Sequence, residues 1–176
     1  MLFHFHGHTE QGVRTAARIF GRAVVISGLR ATAWIPNHLQ NPALDSLSAY
    51  VWVGNEELAK GMPNASDADM TLIFDPTLLD PKTIKEQSTL IINSLLKVQN
   101  PIIKKRKIRA FSIDAVSHIS RGKRSFPNLV MLGYLTTHFK KITPKAVKQA
   151  VEEYLGSVPE KQAEVDVGSK LNPIIR

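Results

Sequence analysis

The period of the hydrophobic pattern changes at Gly12. Leu2 to His6 reads as a short strand rich in aromatic residues, with His4, His6 and His8 at every second position. From Gly12 onward the spacing is helical. Val13, Ala16, Ala17, Phe20 and Val24 share one apolar face, Arg14, Arg18 and Arg22 line another, and Gly28 supplies a stop.

Further along, Ala31 to Ile35 predicts a strand ended by Pro36, and Asn37 to Asp45 a loop. Ser48 to Val53 predicts a third strand, Asn55 to Lys60 a short helix, and Gly61 to Asp69 a breaker-rich segment. Met70 to Phe74, ending in Asp75-Pro76, is a continuous apolar run of the kind buried on both faces of a parallel sheet. Ser88 to Ile92 is a second candidate for such a strand, although helical spacing also fits it, and Ile108 to Ile113, ending in Asp114, is a third.

The final third predicts helices over Asp114 to Ser120, Pro127 to Lys140 and Pro144 to Leu155. The last carries Thr143 as N-cap, Pro144 at its first position and Gly156 as its stop. Strands alternating with helices predict a three-layer α/β single domain with a mostly parallel sheet, opened by a strand, a glycine turn and a helix. Residues 1–156 form that domain in this reading. Ser157 to Arg176 is polar and sparse in core residues, and reads as a partner-binding or mobile tail.

Composition changes this picture little. The chain has 176 residues, 43% hydrophobic and 22% charged, long enough for a real core and ordinary for a globular protein. No window is apolar enough for a membrane span, and the N-terminus lacks the regions of a signal peptide, so the expected location is cytoplasmic. There is no cysteine, so thiolates for zinc or an iron–sulfur cluster must come from another chain. The net charge of +8 favours acidic partners without choosing among them.

The turn Phe5 to Gly12, FHGHTEQG, supports two chemistries. Three alternating histidines could converge on a metal, but no HExxH motif or cysteine pair completes a zinc site, and packing on a sheet face explains them more simply. Alternatively, Gly7 and Gly12 before a helix could cradle an anion on backbone N–H groups. The spacing is neither a Walker A nor a dinucleotide fingerprint, and Glu10 would repel phosphate. A plain strand-to-helix turn is the third reading.

The cluster Lys104-Lys105-Arg106-Lys107 lacks interleaved aromatics, so a solvated loop or a face for an acidic protein outweighs nucleic-acid binding. Asp75 and Asp114 sit at strand ends, where turn capping explains them more cheaply than general-base catalysis. No nucleophile constellation is present, and no catalytic residue or metal ligand is expected in this chain.

The order of motifs resembles the gamma subunit, or gamma domain, of the 2-oxoacid:ferredoxin oxidoreductases, such as pyruvate:ferredoxin oxidoreductase. HGHTEQGVRTAA (His6 to Ala17) is similar to the family's H-G-R-G-G-Q-G-V turn and Thr-Ala-Ala helix. SDADMTLIFDPTLL (Ser66 to Leu79), SIDAVSHIS (Ser112 to Ser120) and PNLVMLGYL (Pro127 to Leu135) follow in the family's order. His8-Thr9-Glu10 departs from Arg-Gly-Gly, and Pro36 to Pro42 departs from the family's P-E-x-R-G-G loop.

The resemblance implies a subunit that is catalytic only in a complex decarboxylating a 2-oxoacid, pyruvate by family analogy, with electrons passing to ferredoxin. It implies thiamine diphosphate, iron–sulfur clusters and coenzyme A in the assembled complex, none bound by this chain alone. Thiamine-binding and ferredoxin-like subunits would be its partners, with ferredoxin reached indirectly. Gly7, Thr9, Gln11 and Gly12 would lie near a coenzyme phosphate or at a subunit contact, and the arginine stripe would meet another subunit. The alternative is a stand-alone α/β binding or regulatory protein that retains the fold without the enzyme.

Overall fold

A six-stranded sheet organises the chain, seen in a computed structural model that describes residues 1–35, 45–54, 63–117 and 126–174. Its strands are β1 (Leu2–His8), β2 (Ala31–Trp34), β3 (Ser46–Val53), β4 (Met70–Ile73), β5 (Thr89–Asn93) and β6 (Arg109–Ile113), in the spatial order β2-β3-β1-β4-β5-β6. The β1–β4, β4–β5 and β5–β6 ladders are parallel, with Phe5 opposite Leu72 and Leu72 opposite Ile91. β3 pairs antiparallel with both β1 and β2. The sheet is thus mostly parallel, as the apolar runs of β4 and β5 imply.

The helices are α1 (Val13–Ile26), α2 (Pro101–Lys105), α3 (Pro127–His138), α4 (Pro144–Leu155) and α5 (Pro159–Lys170). Alternation along β1 sends Phe3 and Phe5 to one face, where they join Phe20 of α1 and Phe139 in a ring cluster, with Phe3 4.5 Å from Phe20 between centroids. The α1, α3, α4 and α5 side chains complete this main core. In α3 every residue from Asn128 to Thr136 is buried, which is why its sequence is apolar on all sides rather than striped.

The opposite face is covered more thinly. Ile73, Ile84, Leu90, Ile92, Ile103 and Ile108 cluster beneath α2 and the turn Pro76–Leu78, and Leu2, Tyr50 and Ala68 form a smaller group beside Trp34 and Trp52.

α4 begins and ends where the sequence places it, with Thr143 Oγ1 accepting from the Ala146 N–H at 3.2 Å and Gly156 at φ +80°. Asp114 to Ser117 differs: Asp114 Oδ1 accepts from the Val116 and Ser117 N–H groups and closes a turn instead of starting a helix. Residues 118–120, the expected helix Asn55 to Lys60 and the loop Pro36 to Pro42 lie outside the described residues.

The C-terminal stretch also departs from the expected tail. Pro159–Lys170 is helical and packs on α3 through glycines: a Cβ on Gly168 would overlap the Val130 carbonyl, and one on Gly133 the Val165 carbonyl. Glu164 Oε1 accepts from the Phe126 N–H at 3.1 Å. A contact made by bare backbone needs few apolar side chains, so the hydrophobic pattern does not reveal it. Beyond α5, the Ile174 N–H donates to Ser112 O at 2.8 Å, laying the chain end along the outer edge of β6. No described helix is long and apolar enough to cross a membrane.

Candidate functional site

The glycine turn joins β1 to α1 at the carboxyl end of the parallel strands, the end where α/β sheets place ligands. Gly7 is required by packing, since a Cβ there would sit 2.8 Å from Gln11 Oε1 and 3.0 Å from Phe74 Cβ. Thr9–Gln11 forms one 3-10 turn, and Gly12 reverses it into α1 at φ +73°, a left-handed conformation that disfavours other residues. Asn128 Nδ2 on α3 donates to Gly12 O at 3.3 Å, so the starts of α1 and α3 are held together.

Among the four site residues expected from the sequence, the two polar side chains are both taken up by hydrogen bonds within the chain. Gln11 Oε1 accepts from the His8 N–H at 2.9 Å, and Gln11 Nε2 donates to Asp75 Oδ2 at 3.4 Å. The Thr9 hydroxyl donates to Asp45 Oδ1 at 2.8 Å. His8 Nε2 lies 3.8 Å from Asp75 Oδ2. Burial works to raise the Asp75 carboxyl, but hydrogen bonds from the Thr77 hydroxyl and N–H outweigh it and hold the group below its ordinary value. Asp75 is therefore an ionised cap for the turn it begins.

Beside the turn lies a cavity of about 560 Å³, whose walls include Gln11, Gly12, Thr15, Phe74, Asn93 and Asn128. Asn93 closes its floor: Oδ1 accepts from the Ala115 N–H at 3.0 Å and Nδ2 donates to Phe74 O at 3.2 Å, tying the ends of three strands. The N–H groups of Val13, Arg14 and Thr15 at the start of α1 have no acceptor among the described residues. They favour an anion, against which the exposed carboxylate of Glu10 on the rim acts. Sequence reasoning missed Asn93 and Asn128. Asn128 lies in the PNLVMLG motif, whereas Asn93 carries no local signal.

The alternating histidines share the thin face of the sheet. His4 Nε2 and His6 Nδ1 both bond Ser48 Oγ at 2.9 Å, and His6 Nδ1 also donates to Leu47 O at 3.2 Å. His4 stacks on Tyr50 at 4.7 Å between centroids and 10° between planes. Among the described residues, no group of three His, Asp or Glu is placed to hold a metal ion.

Burial, aided by the neighbouring His6, pushes the His4 imidazole from 6.5 down to about 3. The folded state keeps His4 neutral while the unfolded chain takes up a proton near its ordinary value. Stability from this residue is therefore complete above the unfolded value and falls as pH drops toward the folded one. Between about pH 7.5 and about pH 5 the loss is about 2 kcal/mol from His4, so urea unfolding of His4→Asn should show a flatter pH dependence by that amount. An unchanged slope would contradict a buried, neutral His4.

Two of the three arginines of the stripe reach a partner within the chain. Arg18 Nη1 donates to the Tyr154 hydroxyl and Arg22 pairs with Glu153, so both side chains reach α4 at the surface. The basic cluster 104–107 closes α2, which Asn100 caps by accepting from the Ile102 N–H at 2.9 Å.

Comparison with known proteins adds the following. The family model described as pyruvate ferredoxin/flavodoxin oxidoreductase matches residues 3–165. Comparison with curated proteins finds no match. The fold is similar to pyruvate oxidoreductase subunit PORC from Thermotoga maritima, with a TM-score of 0.73, 20% identity, and coverage of 97% of this chain and 93% of that one. It is also similar to the gamma subunit of a keto/oxoacid ferredoxin oxidoreductase from Geobacter sulfurreducens, with a TM-score of 0.72, 17% identity, and coverage of 95% of each chain. A third similar structure is the 2-oxoglutarate:ferredoxin oxidoreductase from Magnetococcus marinus, solved with 2-oxoglutarate, coenzyme A and succinyl-CoA bound. There the TM-score is 0.74 at 16% identity, and 99% of this chain covers 32% of the longer one.

Proposed function

This chain belongs to the pyruvate ferredoxin/flavodoxin oxidoreductase family, and from that membership we propose that it is the gamma subunit of a cytoplasmic 2-oxoacid:ferredoxin oxidoreductase. The complex decarboxylates a 2-oxoacid oxidatively, forms the acyl-CoA and passes the electrons to ferredoxin; pyruvate is the substrate we propose. The carrying observation is the extent of the family match, which spans residues 3–165 of 176.

The donor set agrees with a subunit that supports chemistry located elsewhere. Without cysteine it offers no thiolate to an iron–sulfur cluster, and its described residues bring together no carboxylate and histidine group for a metal. Thiamine diphosphate and the clusters are therefore assigned to the thiamine-binding and ferredoxin-like neighbours.

For coenzyme A the fit is to main chain. One phosphate of the coenzyme suits the N–H groups that begin α1, with Gly12 allowing close approach and Asn128 fixing the second helix alongside. Gly7, Thr9 and Gln11 act one step back, shaping the turn through their packing and their bonds to Asp45 and Asp75. When bound, the coenzyme would supply the thiol that accepts the acyl group. The role of this chain is to orient it and to exclude water with Phe74, Phe126 and Leu155.

Purifying the tagged protein gently from its native host tests the reading. Co-purification of thiamine-binding and iron–sulfur chains, with 2-oxoacid-dependent ferredoxin reduction, is the expected result. A chain that purifies alone and reduces nothing would instead be the stand-alone binding protein.

A further inference from the structure

Resting on the reading of this chain as one subunit among several, we infer that the crossover from β5 to β6, residues 94–107, is the surface on which an acidic neighbouring subunit docks. Leu95 and Leu96 follow β5 directly and are 69% and 75% exposed, more than any other large hydrophobic residue described. Val116 stands at the end of the adjacent strand, 52% exposed, where the Ala115 N–H bonds Asn93. Val116 also lines the cavity beside the glycine turn. A surface that covers these three side chains therefore reaches the rim of that cavity as well.

Charge identifies the kind of occupant. Some cations elsewhere are paired within the chain, Lys85 with Asp69, Lys148 with Asp166 and Arg22 with Glu153. On the crossover, Lys97, Lys104, Lys105 and Lys107 are exposed and have no carboxylate partner among the described residues; Arg106 alone approaches one, Glu86 at 3.9 Å. The same crossover carries an open groove of about 750 Å³, lined by Val98, Pro101, Ile103, Lys104, Ile108 and Ala110.

Exposed leucines cost hydration free energy, and adjacent lysines repel one another. Both penalties are relieved by a protein surface that brings apolar side chains ringed by carboxylates. A second copy of this chain would bring the same four lysines and be repelled. Nucleic acid would use the lysines, but it gains nothing from two leucines that offer no aromatic face for stacking.

Three variants of the tagged chain in its native host test this surface. K104E/K105E/K107E and L95S/L96S remove the charge and the apolar part, and K82E/K145E/K170E makes the same charge change at exposed positions elsewhere. All should fold as the wild type by circular dichroism, because every altered side chain is exposed. The first two should recover neighbouring subunits at a level about tenfold lower or less, and the third at the wild-type level.

Lysine acetylation of the wild-type complex should be slowed at Lys97, Lys104, Lys105 and Lys107 relative to the free chain, but not at Lys82, Lys145 or Lys170. Wild-type recovery in both crossover variants, or equal acetylation of all seven lysines, would overturn the docking surface while leaving the subunit reading intact. A wild-type chain that brings down no neighbour overturns both. Salt-sensitive binding of a DNA duplex, abolished by the charge reversal, would overturn the assignment in favour of nucleic acid.

Discussion

Gly168→Ala should destabilise the protein by about 3 kcal/mol or more, lowering Tm by about 10 °C. The sign is the informative part. Gly168 lies inside α5, and helix propensity alone would make alanine there more stable by about 1 kcal/mol. The structure reverses that expectation, because a methyl group would overlap the Val130 carbonyl and crowd the Tyr134 N–H, both backbone atoms of a helix buried on all sides. Backbone cannot rotate away as a side chain can, so α5 must move off α3 or α3 must leave the core.

Gly133→Ala should cost a similar amount, because its methyl group meets the Val165 carbonyl from the other side of the same contact. Thermal unfolding measures the loss. Hydrogen exchange over residues 159–170 shows whether α5 detaches first, taking with it the bond from the Phe126 N–H to Glu164. A gain in Tm for either variant would mean that α5 does not pack this closely.

Gly12→Val should reduce stability by about 2–4 kcal/mol and lower the yield of assembled complex. Two effects add. A β-branched residue at φ +73° is strained whatever its surroundings, and its Cβ would sit 2.5 Å from Asn128 Nδ2. A double-mutant cycle separates them: Gly12→Ala in an Asn128→Ala background keeps the backbone strain and removes the collision. The alanine substitution should therefore cost less there than in the wild-type background. Equal costs in the two backgrounds would show that the contact between α1 and α3 does not constrain the turn.

Local rules made much of the fold legible. α4 is bracketed by Thr143, Pro144 and Gly156, and each performs the role its chemistry dictates. α1 carries a single apolar face, and β4 is a pure apolar run ending at Asp75. What local rules do not contain is partnership between distant segments. Nothing in SAYVWV says that it will lie between β1 and β2 and run antiparallel to both. α5 escaped notice because its contact with α3 is made by absent side chains.

At the candidate site, Gly7 and Gly12 were legible as glycines that the turn needs. Thr9 and Gln11 read as ligand groups because their partners, Asp45 and Asp75, lie 36 and 64 residues away in the chain. The arginine stripe was legible as a face, but its destination on α4, across more than 130 residues, was not.

The position of β1 has a consequence for the order of events during synthesis. Both of its neighbours in the sheet, β3 and β4, are made after it, and Ile73 ends the second of them. Until that residue has left the ribosome, Phe3 and Phe5 have no complete sheet in which to be buried, and the polar groups of β1 lack one of their two ladders. Vectorial translation thus leaves the most aromatic strand of the chain waiting longest. That interval is the one in which a nascent-chain chaperone would have most to protect.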